Sequence, residues 1–327
     1  MKLDIHYRMH FRYSDPVTEA QNEVRVRPRD DDCQRVVSYR LASQPAAAVL
    51  QAVDYWGTVV EHLGVRTPHT EMELRAEASV ETSPRPAPDG DADRSAVREP
   101  SFRDAYFEML AASPHVRWSE GDAVARKARA AVDGADTFAM MVAAVIEDVR
   151  ATLRYEPGST EIGVSLAEIL EGRAGVCQDY AHLAIGMMRS IGIPARYVSG
   201  YLFAADETAL PEEAASPDDA PEAVSVQTHA WLEAAVPGWG WWALDPTNGG
   251  TVGERHVVIG CGRDYGDVPP VRGAFMGSGT ADVDAEVVIG KRRSRDAFVY
   301  APRRPADPAA GVVPQDAFWG QQQQQQQ

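Results

Sequence analysis

Lysine is nearly missing from this 327-residue chain: Lys2, Lys127 and Lys291 are the only ones, and arginine supplies the other 29 positive charges. Against them stand 48 acidic residues, for a formal net charge of −16. A surface of that sign repels phosphate backbones and anionic headgroups, so nucleic acid and membrane surfaces are poor partners. Long apolar runs are missing too. No stretch approaches the roughly 18 uninterrupted apolar residues that a membrane-spanning helix needs. The opening MKLDIHYRMH alternates apolar and polar residues and lacks the apolar centre of a secretory signal, so a cytoplasmic protein is expected. Cysteine is scarce, with Cys33, Cys177 and Cys261. Three widely spaced cysteines without a CxxC pair make neither a disulfide framework nor a structural zinc knuckle. Each must be judged by its surroundings.

What is there is an ordinary globular composition, 44% apolar and 24% charged, on a chain long enough for two cores. Residues 1–82 read as a β-rich N-terminal domain. IHYRMHFRY, EVRVRPR, QRVVSYRLA, AVDYWGTVVEHLG and EMELRAEASVE follow one another as short strand-like segments broken by Pro, Gly and Asp, a spacing that suits an antiparallel sandwich or barrel. Residues 83–99 are rich in Pro, Asp and Ser, have no apolar period, and read as a linker.

Residues 100–302 change texture. SFRDAYFEMLAAS and GDAVARKARAAV are short helix candidates. Asp136 is placed to cap a helix that carries Phe138, Met141, Val142, Val145, Ile146, Val149 and Leu153 on one face. Ser165 and Glu168 match a capping box opening a helix that stops at Gly172. Another helix runs from about Cys177 to Gly192, with Pro194 beyond. The period then drops to two, and ARYVSGYLF, QTHAWLEAAV, WWALD, HVVIG and ADVDAEVVIG read as strands, the second and third joined by PGWG. The expected fold class is α+β: a β-rich domain, then helices packed on an antiparallel sheet. Residues 204–226, acidic and Pro-rich, read as an exposed loop, and residues 206–224 as a candidate lid. Residues 303–327, ending in seven glutamines, have no packing pattern and read as a disordered tail.

Cys177 stands at the head of a helix. A thiol there faces the unpaired N–H groups of the first turn and the positive end of the dipole, which favour the nucleophilic thiolate. Its own N–H would point at an oxyanion built on an attacked carbonyl. Gly172 and Gly175 remove side chains from the approach to the sulfur. His229 on QTHAWLEAAV and Asp245 at the end of WWALD fall at the same open end of a hairpin and share parity. The carboxylate can then fix the imidazole tautomer, giving nucleophile, base and orienter in the order Cys, His, Asp.

The same residues carry a resemblance. GVCQDYAHLAIGMMRSIGIPARYVSGYL, THAWLEAAVPGWGWWALDPTN and GRDYGDVPPVRG are similar to the core motifs of the bacterial transglutaminase-like family, a branch of the papain-like thiol-enzyme superfamily. The first 82 residues resemble the β-rich domain that often precedes that core. The resemblance implies Cys177 as nucleophile, His229 as base and Asp245 as third member. The implied chemistry is acyl transfer from peptide or protein amides through a cysteine thioester. Members of this branch are often better described as proteases than as cross-linkers, which favours hydrolysis over transamidation. Tyr155 resembles a position near the family's cleft, and Asp179 stands where the family commonly has an acid. With Trp231 they are the candidate substrate contacts. Trp231, Trp239, Trp241 and Trp242 either screen a thioester from water or pack the sheet.

Two other readings compete. One is a binding or scaffold module that keeps the fold without turnover. The other is a zinc site on Cys, His and Asp, but these segments lack close ligand pairs. No EF-hand-like loop offers calcium a site, so no metal or cofactor is expected. Cys33 and Cys261 read as small apolar fillers. His182, five residues past Cys177, turns away from the sulfur and reads as a core histidine.

Overall fold

The computed structural model describes residues 1–88, 92–203, 223–226 and 228–292. Alternation builds its first layer. β1 (Lys2–Val17) turns Leu3, Ile5, Tyr7, Met9, Phe11 and Tyr13 inward, and β6 (His69–Thr82) does the same with Met72, Leu74, Ala76, Ala78 and Val80. β6 pairs antiparallel with β1 on one side and with β3 (Gln34–Gln44) on the other. The facing sheet holds β2 (Glu19–Val24), β4 (Val49–Val53) and β5 (Val59–Val65), and Val24, Leu63 and Val65 close a shared core. This is the sandwich that the spacing of turns suggested.

The sandwich is not confined to residues 1–82. β16 (Ala281–Lys291) pairs along β1 from Leu3↔Lys291 to Tyr13↔Ala281. β15 (Val271–Met276) pairs with β2, and β10 (Ala223–Val226) pairs with β16. The two sheets therefore run β10-β16-β1-β6-β3 and β15-β2-β5-β4. ADVDAEVVIG, placed by sequence in the second unit, belongs to the first. Its period-two pattern was read correctly, but which open edge it joins is a property of pairing that a one-dimensional pattern does not carry.

The second unit packs α1 (Pro100–Ala105), α2 (Ala123–Ala131), α3 (Phe138–Thr152), α4 (Leu166–Gly172) and α5 (Cys177–Ser190) on a second antiparallel sheet. That sheet is ordered β13-β12-β11-β9-β14, from β9 (Ala195–Leu202), β11 (Thr228–Val236), β12 (Gly240–Asp245), β13 (Gly250–Thr251) and β14 (His256–Gly262). A short parallel pair joins β7 (Arg154–Tyr155) to β8 (Ala174–Gly175). The Ser165–Glu168 capping box is present, and α4 stops where expected, with Arg173 in the left-handed region at φ 52°. The cap of α3 is Thr137, whose hydroxyl accepts from Met140 N–H, not Asp136. The stretch read as a linker folds back: Ala92 O accepts from Phe138 N–H at 2.8 Å, and a 3-10 turn spans Arg94–Arg98. Of the stretch 204–226 read as a loop, Ala223–Val226 is strand β10, added to the edge of β16; residues 204–222 and the tail 303–327 lie outside the described residues.

α5 is buried from Cys177 through Arg189, as an apolar helix at the centre of a layered unit must be. Its partner sheet serves two cores. Tyr197, Leu232 and Ala234 join the core of the helices, whereas Tyr201, Phe203, Val257 and Ile259 join that of the sandwich. Fully burying each such side chain contributes about 1.5–3 kcal/mol. The Gln34 amide brackets Val258, donating to its carbonyl at 2.9 Å and accepting from its N–H at 2.7 Å. The two units thus share β9 and β14, and β9 pairs with β11, the strand that carries His229.

Candidate active site

Cys177 is the first residue of α5 and is 1% exposed. The Asp179 carboxylate reaches back one turn, accepting from Val176 N–H at 2.8 Å and from Thr160 Oγ1 at 2.6 Å. It satisfies the donor just ahead of the helix and leaves the Cys177 N–H among the unpaired first-turn donors. Burial raises the Asp179 carboxyl above its ordinary range, against the pull of those two donors. The space at Gly175 belongs to this arrangement: a Cβ there would lie 2.7 Å from Asp179 Oδ2. Gly175 therefore admits the capping acid and not an incoming ligand. Asp179, 2% exposed, has its carboxylate committed to these two donors.

His229 comes from β11, opposite Gly200 of β9. The register Leu232↔Leu244 puts His229 and Asp245 on the same face of adjacent strands. His229 Nε2 and Asp245 Oδ2 are 2.8 Å apart, and the Cys177 sulfur lies near enough to the imidazole to raise its pKa. An ionised carboxylate only accepts, so Nε2 carries the proton toward Asp245 and the other ring nitrogen serves the sulfur. Burial alone would strip the ring of its charge. The Asp245 carboxylate and the neighbouring sulfur outweigh it and hold the pKa up at about 10. Asp245 is 1% exposed. Burial would raise its carboxyl, but His229, His256 and Asn248 hold it far below the usual carboxylate range.

Residues 125–246 match the model of the transglutaminase-like superfamily, and residues 3–81 that of the bacterial transglutaminase-like N-terminal region. An uncharacterised protein of Mycobacterium leprae is 34% identical over 277 residues, covering 85% of this chain and 94% of its own length. The chain belongs to the transglutaminase-like superfamily. A second relative, an uncharacterised protein of Mycobacterium tuberculosis, is 32% identical over 298 residues, 86% of this chain and 90% of the relative. A solved structure from Cytophaga hutchinsonii, described as a candidate cysteine protease, superposes with a TM-score of 0.67 at 22% identity, over 92% of this chain and 94% of that one. At that identity the likeness speaks for the fold. The matched transglutaminase-like core spans Cys177, His229 and Asp245 and stops one residue later.

Beyond that limit lies His256, which sequence reasoning left unmarked. Its Nε2 donates to Asp245 Oδ2 at 3.1 Å, while its Nδ1 accepts from Gly253 N–H at 3.3 Å, which fixes the tautomer. Asn248 was also missed: its Nδ2 donates to the same oxygen at 2.7 Å and sits 3.4 Å from His229 Nε2. With Thr247 and Asn248 N–H on Oδ1, at 3.0 and 3.1 Å, Asp245 takes five donors. The DPTN turn held the signal for Asn248, since a turn after a strand can fold its donors onto the preceding acid. No spacing rule marks His256, which reaches the site only through the pairing of β14 with β9. The ligand-capable atoms of His229, Asp245 and His256 lie within 4.8 Å of one another. As placed, both Nε2 atoms spend their protons on one carboxylate oxygen, so neither offers a lone pair to a cation. Phenylalanine at His256 should keep the ring packing and remove one hydrogen bond to a charged acceptor. The expected loss is about 2 kcal/mol of stability in urea unfolding, and an unchanged midpoint would show that the bond contributes nothing.

The remaining candidates divide. Trp231 is fully buried, and its indole fills the space where a Cβ on Gly200 would sit, at 2.3 Å. It packs edge-on to His256 with ring centroids 5.3 Å apart. It is a buried platform beneath the histidines. Tyr155 is 45% exposed, and its hydroxyl is pushed up to about 12 by burial and by Cys177 and Tyr180 nearby. It is the exposed aromatic beside the sulfur. His182 is held in the core, accepting from Tyr265 N–H at 3.1 Å, and burial drives its pKa down to about 3. Cys261 is likewise buried, 2% exposed.

Proposed function

We propose that this transglutaminase-like protein hydrolyses amide bonds of peptides or proteins, with Cys177 as nucleophile, His229 as proton carrier, Asp245 as orienter and Tyr155 as a substrate contact. The observation that carries the reading is the Cys177 sulfur at the head of α5 beside the His229 ring, which is itself hydrogen-bonded to a buried, five-donor Asp245. The sulfur faces a cationic ring at a helix N-terminus, where negative charge is stabilised. It attacks the amide carbonyl carbon, forming the S–C bond and a tetrahedral oxyanion that the Cys177 N–H can meet. His229 gives its proton to the leaving nitrogen, the C–N bond breaks, and a thioester remains. Water, deprotonated by the same ring, attacks the thioester; the acid leaves and sulfur and imidazolium are restored.

Water is favoured over an amine by where three of the four tryptophans lie; the fourth, Trp242, packs against the core that includes Cys177. Trp231 is sealed under Gly200, Trp241 is held beneath the Arg196 guanidinium at 4.0 Å, and Trp239 is at the tip of the β11–β12 hairpin. None of these three forms an apolar screen over the sulfur. Intact-mass analysis of a glutamine peptide, with and without added amine, tests this. Deamidation or chain cleavage in both samples is expected. Amine incorporation in place of hydrolysis would overturn water as the acceptor, and an unchanged mass in both would remove the enzymatic reading.

A further inference from the structure

A cavity of about 630 Å³ lies at the far end of α5 from Cys177, between the Arg94–Arg98 turn, α1 and the last turn of α2. Its walls carry Arg94, Arg98, Arg103, Arg129 and Arg189, against a single acid, Asp133. We propose that this cavity binds a small polyanion bearing at least two phosphate or carboxylate groups.

The arginines are not equivalent. Arg189 is spent on the fold, donating to Ala195 O, Ala111 O, Ser113 Oγ and Arg263 O. Arg94 donates to Ala135 O at 2.9 Å. Arg98, Arg103 and Arg129 are exposed, and among the described residues none of them forms an ion pair; nor does Asp133. Three uncommitted guanidiniums thus face one hollow, on a chain whose net charge is −16.

Each of the three also ends a helical segment, where a cation complements the last carbonyls by about 0.3–1 kcal/mol. That explains one arginine at one terminus. It does not explain why the ends of separate segments converge, since like charges brought together repel unless an anion lies between them. Gly192, at φ 89°, turns the chain beside Arg103, whose Nη1 lies 3.4 Å from where a Cβ would sit. The planar guanidinium fork pairs with phosphate or carboxylate through two parallel bonds. Donors spread over three segments need more than one such group. The floor is apolar, with Val132 and Met141 buried beneath, and the volume falls in the range of small-molecule sites rather than single ions.

The test uses the full chain and two probes, pyrophosphate and citrate, titrated calorimetrically against sodium chloride of equal ionic strength. Saturable 1:1 binding of either probe is expected; which one binds tells phosphate from carboxylate. The pair Arg98→Gln and Arg103→Gln should weaken it at least about tenfold. Arg126→Gln, on the same helix as Arg129 but outside the cavity, should leave it unchanged. Heat no greater than that of the salt, survival of binding in the double variant, or equal weakening by Arg126→Gln overturns the proposal. If the double variant fails to fold, phenylglyoxal modification of the native chain decides. Pyrophosphate or citrate should protect Arg98, Arg103 and Arg129, and equal modification with and without both probes overturns the site. No arm reads amide turnover, so the result stands apart from the chemistry of Cys177.

Discussion

Alanine in place of His229 is expected to lower kcat/KM for amide hydrolysis by about 1,000- to 10,000-fold while leaving the chain folded. The ring bonds Asp245 and has the sulfur beside it. Without it the leaving nitrogen has no proton donor and the sulfur no cation beside it. The fold should survive because Asp245 keeps its bonds from Thr247, Asn248 and His256. The pH profile adds a readout that misfolding would not mimic. In the native protein the rate should fall as pH rises through about 10, where the ring loses its charge. Asparagine at Asp245 removes the raising charge and leaves burial, which lowers the ring's pKa, so the alkaline limb should move toward acid. A limb that stays in place would show that Asp245 does not set the charge of the imidazole.

The second large effect is on stability. Asp245→Ala leaves four donor groups around an apolar methyl: Thr247 N–H, both N–H groups of Asn248, and His256 Nε2–H, besides the His229 ring itself. Breaking a buried charged network of this kind costs about 3–5 kcal/mol, and the lower end applies because His229 can shed its proton. Urea unfolding of the two chains measures it. The sign of the pH dependence follows from the two shifts. The depressed Asp245 contributes stability that is present above its unfolded pKa of about 3.9 and is lost as pH falls toward its folded value. The raised His229 contributes stability that is full below its unfolded pKa of about 6.5 and is lost as pH rises through its folded value, about 10. The difference between native protein and variant should therefore be greatest between about pH 4 and pH 6.5. A difference that grows above pH 7 would contradict the pairing.

What could be read from the sequence was what local rules encode. The capping box at Ser165 and Glu168, the end of α4 at Gly172 and the parity of His229 and Asp245 all follow from spacing within a dozen or so residues. The cap of α3 slipped by one because Asp136 and Thr137 are both able caps, and only the backbone decides which side chain meets Met140 N–H. The capping contact of Asp179 depends on Gly175 leaving room for its carboxylate, which the family position alone does not show. His256 was out of reach because its place depends on β14 running antiparallel to β9, a long-range pairing with a register shift between Val258 and Gly260. ADVDAEVVIG was misplaced for the same reason: a strand's period is local, and its neighbour is not.

β1 lies between β6 and β16, so one of its two edges is covered by residues that follow the whole second unit in the chain. During synthesis, the ribosome delivers β1 and β6 early and β16 only after residue 281 has emerged. Until then the free edge of β1 is a row of unsatisfied N–H and C=O groups, open to pairing with any nascent neighbour. Maturation of the first-made sheet thus awaits a strand made after the whole second unit. Polypeptides stalled or cleaved short of that point should be chaperone clients and prone to clump, however sound their catalytic half.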